Sequence, residues 1–239
     1  MFTSPPPTRY DLRFSILGIN VRVHPLFWVI AILLGSSSSS PINILIWVVS
    51  VFVSILIHEL GHALAMRYYG QRSQIVLHTM GGLTIPEPVA WGTGWANVAL
   101  MPNQEIFITL AGPGAGFLFA AFIFAFTIII NTLSAPITGL PGTMINLLIG
   151  NLLWINIFWG LINLMPIYPL DGGNVARHLF VKFDPWGGVR KSLWLSIIAG
   201  GIAAMAGFFL LGSIYMAVLF AFLAFQSYQM LQGGINRGY

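Results

Sequence analysis

The chain has 239 residues, of which 57% are hydrophobic and only 7% charged, with a mean hydropathy of +0.85. A water-soluble domain of that composition would expose large apolar patches and aggregate, so a bilayer is the solvent it fits. Its formal charge of +4 comes from ten basic residues scattered in ones and twos, which excludes the clustered basic face of a nucleic-acid binder, and the lack of cysteine excludes disulfides and thiolate metal ligands.

The chain opens on Pro5, Pro6 and Pro7 followed by Arg9 and Arg13. It lacks the apolar run and small-residue cleavage site of a signal peptide, so the first span is expected to stay as an uncleaved anchor. Apolar blocks near the roughly 20 residues needed to cross about 30 Å of hydrocarbon then follow one another. They run about 24–40, 41–66, 106–130, 144–165, 192–211 and 214–231. These predict an all-α polytopic membrane protein of about six transmembrane helices, with a short membrane-associated β-hairpin between the second and third.

Placing the N-terminus in the cytosol puts Arg9, Arg13, Arg22, Arg67, Arg72, Arg177, Lys182, Arg190, Lys191 and Arg237 all inside. The connections around Ser36 to Pro41 and Asn131 to Thr143 fall outside and carry no charge, as the positive-inside rule expects. Both termini are therefore expected in the cytosol, with the chain in a cell (inner) membrane.

Residues 73–104 mix Gly, Pro and polar groups and do not form a span. The hairpin is expected within them, dipping in from the cytosolic side, with Gly81 and Gly82 as its two-residue turn. The length fits one domain over 1–239, with a core at about 41–178, the hairpin at about 73–90 and a C-terminal helix pair at about 192–231.

The strongest local signal is His58-Glu59-Leu60-Gly61-His62, inside the apolar run from Ile42 to Met66. Helical spacing of four puts both imidazoles on one face, where they can hold one metal ion, and Glu59 can reach a water beside it. Shuffling this composition would give the pattern with a chance of roughly 0.001, which makes coincidence a poor explanation. Ionisable groups inside a membrane helix are costly and usually serve a function. From His58 to Arg67 is about 13 Å of helix, so the site lies below the cytosolic surface.

A catalytic zinc usually has three protein ligands and an open position. Asp11, Glu87, Glu105 and Asp184 lie in or beside polar segments, whereas Asp171 directly follows the fourth long apolar block. It closes the stretch from Asn163 through Pro166, Pro169 and Leu170 to Asp171, Gly172 and Gly173. The prolines break the helix there, and the glycines permit turns that a normal span forbids.

These two motifs resemble those of the site-2 protease family of intramembrane zinc metalloproteases. That family pairs a His-Glu-x-x-His helix with a later Asn-x-x-Pro-x-x-Pro-Leu-Asp-Gly, matched here at Asn163, Pro166, Pro169, Leu170, Asp171 and Gly172. The resemblance covers about residues 50–178. Softer echoes are Val23-His24-Pro25-Leu26, Met80-Gly81-Gly82 and Ala111-Gly112-Pro113. No PDZ-like insertion or nucleotide-sensing appendage is present, so the chain resembles a minimal member.

The resemblance implies one Zn2+ per chain on His58, His62 and Asp171, with Glu59 as general acid–base. Its substrates would be transmembrane proteins within the lipid bilayer, cut in or near their spans. Asn163 would contact substrate or the oxyanion, or merely join two helices. The substrate would unwind and add a strand to the hairpin around Thr79 to Thr84, beside Gly81 and Gly82. A membrane regulatory partner and the oligomeric state are left open.

His24, His78 and His178 are read as interfacial hydrogen-bonding groups rather than ligands. Gly112 and Gly116 are read as a helix-packing pair. The competing readings are a membrane metal-ion transporter and a non-catalytic homologue that only binds membrane proteins.

Overall fold

The structure is a computed structural model describing residues 5–36, 40–79, 81–87, 100–133 and 139–235. Met80, Arg237 and positions 88–90 of the expected hairpin lie outside these residues. The chain divides into two units, Met1–Ala99 with Ala111–Gly160, and Leu100–Leu110 with Leu161–Tyr239.

The first unit begins with two strands that were not expected from the sequence, β1 (Leu12–Ile16) and β2 (Ile19–Val23). Their apolar and polar residues alternate strictly, the period of a half-buried strand, and Ile19, Val21 and Val23 are buried. Leu17 and Gly18 join them with φ of 51° and 72°, the positive values that a tight two-residue hairpin turn requires. At the open end of this hairpin the Asp11 side chain is shielded from solvent. Burial alone would raise its pKa, but hydrogen bonds from Thr8 and from Arg22 outweigh that and hold it at about 2.

Two helices follow, α1 (Pro25–Gly35) and α2 (Pro41–Tyr68), then β3 (Ser73–His78) and β4 (Gly81–Pro86). The four strands make one sheet in the order β1-β2-β3-β4. Its outer pairs are antiparallel, while β2 and β3 run parallel with Val21 opposite Ile75. The hairpin is thus half of a larger sheet, and its turn differs from expectation. Gly81 pairs with His78 and Gly82 with Leu77, so both glycines belong to β4 rather than to the turn.

The expected first span is also shorter than read. It is an 11-residue helix, about 16 Å long at 1.5 Å per residue, too short to cross the hydrocarbon alone. Pro41 begins a new helix. His24 caps α1, its Nδ1 accepting from the Leu26 amide across 3.2 Å.

Phe52 of α2 binds this unit together, with its ring 6.5 Å from Phe14, 6.2 Å from Phe27 and 5.2 Å from Trp28. Around it Val21, Val23, Ile75, Leu77, Ala31 and Val51 form a core between sheet and helices.

Among the described residues five helices are long and apolar enough to cross a membrane, plus the short α1. They are α2, α3 (Pro102–Leu133), the composite run Gly139–Asn163, α7 (Gly188–Phe209) and α8 (Ile214–Ile235). The composite run consists of α4 (Gly139–Trp154), a π-helical turn at Ile155–Trp159 and α5 (Gly160–Asn163). Leu118, Phe122, Phe209 and Leu210 are more than 60% exposed, an apolar surface that needs lipid rather than water.

In the second unit α6 (Asp171–Phe183) is a polar-faced helix not expected from the sequence. It is tied to the first turns of α3 by Lys182 Nζ donating to Asn103 Oδ1 at 2.9 Å and by the His178–Glu105 pair at 2.5 Å. Ile162, Ile167, Ala203, Phe220 and Leu223 form the core of this unit.

Candidate metal centre

His58, Glu59 and His62 lie on α2, well inside its 28 residues. The Nε2 atoms of His58 and His62 are 3.1 Å apart, and the ligand atoms of all three residues fall within 4.8 Å of one another. Two imidazole nitrogens sharing one tetrahedral zinc at 2.0–2.1 Å would be about 3.3 Å apart, so the donor pair fits such an ion. Glu59 is only 5% exposed, so its carboxylate faces protein rather than lipid.

Space for the two imidazoles and the carboxylate is made by glycines. Gly61 lies against the Ala111 backbone and the Ala115 methyl, so a side chain there would drive α2 and α3 apart. Gly112 faces the His62 ring, and a Cβ added to it would overlap Nε2 and Cε1. Gly82 of β4 lies against Glu59, where a Cβ would overlap the carboxylate carbon and Oε1. Next to it Thr84 Oγ1 donates to Glu59 Oε2 at 2.6 Å and lies 3.1 Å from the Glu59 carbonyl oxygen.

One turn before His58, Ser54 is buried and its Oγ accepts from Asn156 Nδ2 at 2.9 Å. Asn156 sits in the π-helical turn, where one extra residue re-aims the side chains. Its Oδ1 faces Gly116, at which a Cβ would approach to 3.3 Å. The Gly-x-x-x-Gly pair of α3 thus accommodates one imidazole and one carboxamide.

In the second unit, Asp171 occupies the first turn of α6, where the helix dipole favours a negative charge. Gly172 and Gly173 are buried there. Side chains at these positions would collide with the backbone of residues 164–165 and 167–168 respectively, which explains both glycines after the aspartate. Ser196 Oγ accepts from the Tyr168 amide at 3.0 Å and fixes the same proline-rich segment. Asn163 is half-buried at the end of α5, its amide without a hydrogen-bond partner among the described residues.

A solved structure titled site-2 protease, from Methanocaldococcus jannaschii, superposes with a TM-score of 0.59. It covers 93% of this chain and 95% of its own at 24% identity. The fold is that of a site-2 protease. No family model matches the chain. A protein named as a zinc metalloprotease from M. jannaschii is 27% identical over 221 residues, 87% of this chain and 58% of that protein. Stage IV sporulation protein FB of Bacillus subtilis is 30% identical over 176 residues, 71% of this chain and 51% of its own length. The chain thus spans between half and three fifths of these two relatives.

Within the site-2 protease fold, the structure brings His58, Glu59, His62 and Gly82 together in the first unit. Gly81, with φ of 113°, has open space where a side chain would be. Asn163 and Asp171 belong to the second unit, and their part in the site remains a proposal. His24 and His178 have other partners, the α1 amide and Glu105. Sequence reasoning missed Thr84, Ser54 and Asn156. Asn156 could have been flagged as one of four carboxamides in the apolar run 144–165, groups that seek a partner within a membrane.

Proposed function

We propose that this chain is an intramembrane zinc metalloprotease that hydrolyses peptide bonds in or near the transmembrane segments of other membrane proteins, as in regulated intramembrane proteolysis. The observation that carries this reading is the pair of Nε2 atoms 3.1 Å apart beside the buried Glu59. The chemistry of the set, two neutral nitrogen donors with an adjacent carboxylate, suits a hydrolytic zinc site rather than a purely structural one.

His58, His62 and Asp171 would hold one Zn2+. A zinc ion so bound would polarise a peptide carbonyl and make water acidic enough to lose a proton near neutral pH. Glu59 Oε1, beside the glycine at position 82, takes that proton while Oε2 keeps the Thr84 hydroxyl. As the water oxygen bonds to the carbonyl carbon and the C–N bond breaks, the same carboxyl returns the proton to the leaving amine. Asn163, its amide free among the described residues, donates to the developing oxyanion. The substrate unwinds and pairs with β4, the last strand of the sheet among the described residues.

Both termini lie on the cytosolic side in this reading. In its support, β2 and β3 share a sheet, so α1 and α2 leave from and return to one side. The four further long apolar helices keep the number of crossings even.

The test is purified chain with single-span peptides as probes. Glu59→Gln should keep one zinc per chain and lose cleavage by at least about a hundredfold. His58→Ala and Asp171→Asn should lose zinc. Identical fragments from wild type and Glu59→Gln would refute the protease, and zinc uptake into liposomes without cleavage would favour a transporter.

A further inference from the structure

Resting on the assignment of Glu59 as the general acid–base, we propose that Thr84 is its positioning residue, tying the carboxylate to the strand at the open edge of the sheet. Thr84 Oγ1 lies 2.6 Å from Glu59 Oε2, within the range of a hydroxyl donating to a carboxylate. Gly82 of the same strand also lies against Glu59, limiting the space while offering no side chain to hold an oxygen. The hydroxyl therefore fixes which oxygen is engaged and which faces the reaction.

The strand that carries Thr84 makes the contact informative. Among the described residues β4 ends the sheet, pairing with β3 on one side only, in a register that sets Thr84 opposite Ile75 and Gly82 opposite Leu77. Side chains alternate along a strand, so positions 82 and 84 share the face against α2, and the outer edge of β4 is left for an extended segment. A segment that pairs there sets the β4 backbone, and the Thr84 hydroxyl carries that setting across one hydrogen bond to the base.

The test compares Thr84→Val, which keeps the shape but not the hydroxyl, with Thr84→Ser, which keeps the hydroxyl. The zinc-loaded full chain is used in detergent, with a fluorogenic single-span peptide as probe. Thr84→Val should lower kcat by about 10–100-fold, the usual effect of losing a partner that orients a reacting group. KM, zinc per chain and hydrogen-exchange protection of the β4 amides should stay within twofold, and Thr84→Ser should recover most of kcat. Independently of turnover, the Glu59 carboxylate band, isolated by infrared difference between wild type and Glu59→Gln, should shift in Thr84→Val and return in Thr84→Ser.

An unshifted band, an unchanged kcat, or a kcat loss that appears only with loss of zinc or of β4 protection would overturn the role. Failure of wild type itself to cleave, with the band shift present, would instead refute the protease reading and leave the Thr84 contact standing.

Discussion

The imidazole of His62 occupies the space that a side chain at Gly112 would need: a Cβ there would overlap its Nε2 and Cε1 atoms. A residue of α3 with no functional group thereby decides whether a donor atom on α2 can reach its place. Gly112→Ala should lower zinc affinity by at least about tenfold while helix content is retained. Gly114→Ala, where an added Cβ meets nothing within 4 Å, should bind zinc normally. Zinc titration followed by circular dichroism separates the two.

The buried bond from Asn156 Nδ2 to Ser54 Oγ fixes α2 against the π-helical turn one helical turn from His58. Bonds of this kind within a membrane contribute about 0.6–2 kcal/mol. Asn156→Ala and Ser54→Ala should each destabilise the chain. The double variant should cost less than the sum by an amount in that range, measured as a double-mutant cycle in mixed-micelle unfolding.

Asp11 gives the first unit an acid sensitivity of defined sign. Its folded pKa of about 2 lies below the ordinary 3.8, so its contribution is fully present above pH 3.8 and fades as pH falls towards 2. Asp11→Asn should weaken protection of the β1–β2 hairpin at pH 6. The difference from wild type should disappear near pH 2, as read by hydrogen exchange at the β1 amides.

The glycines that follow Asp171 serve close packing. Gly173→Ala would push a methyl group into the Ile167–Tyr168 backbone and should cost about 1–3 kcal/mol. Gly201→Ala, in α7 with open space around it, should be neutral or gain up to about 1 kcal/mol from helix propensity. Thermal unfolding of the two variants would rank them.

The convergence of His58 and His62 was legible because a spacing of four puts two side chains on one helix face, and the long apolar helices were legible because bilayer thickness sets their length. The N-terminal strands were missed although Leu12–Ile16 and Ile19–Val23 alternate strictly, since Leu17-Gly18 lacks the Asn-Gly signature of a tight turn. The adjacent glycines at 81 and 82 suggested a turn, yet Gly82 is small because Glu59 lies against it. No spacing rule relates Thr84 to Glu59, 25 positions away. That contact exists only because the register of β4 on β3 places residue 84 on the face towards α2. α6 was hidden by its opening Asp-Gly-Gly, residues that disfavour a helix interior.

The parallel pairing of β2 with β3 joins strands separated by both α1 and α2. During synthesis β2 emerges first and must wait, unpaired on one side, until the intervening helical hairpin has been threaded and its far end has come back. Only then can β3 dock, bring β4 with it, and set Thr84 on the carboxylate. The hydrogen bond from Thr84 to Glu59 therefore depends on a long-range strand pairing that cannot form before the residues of α1, α2 and β3 have all been made.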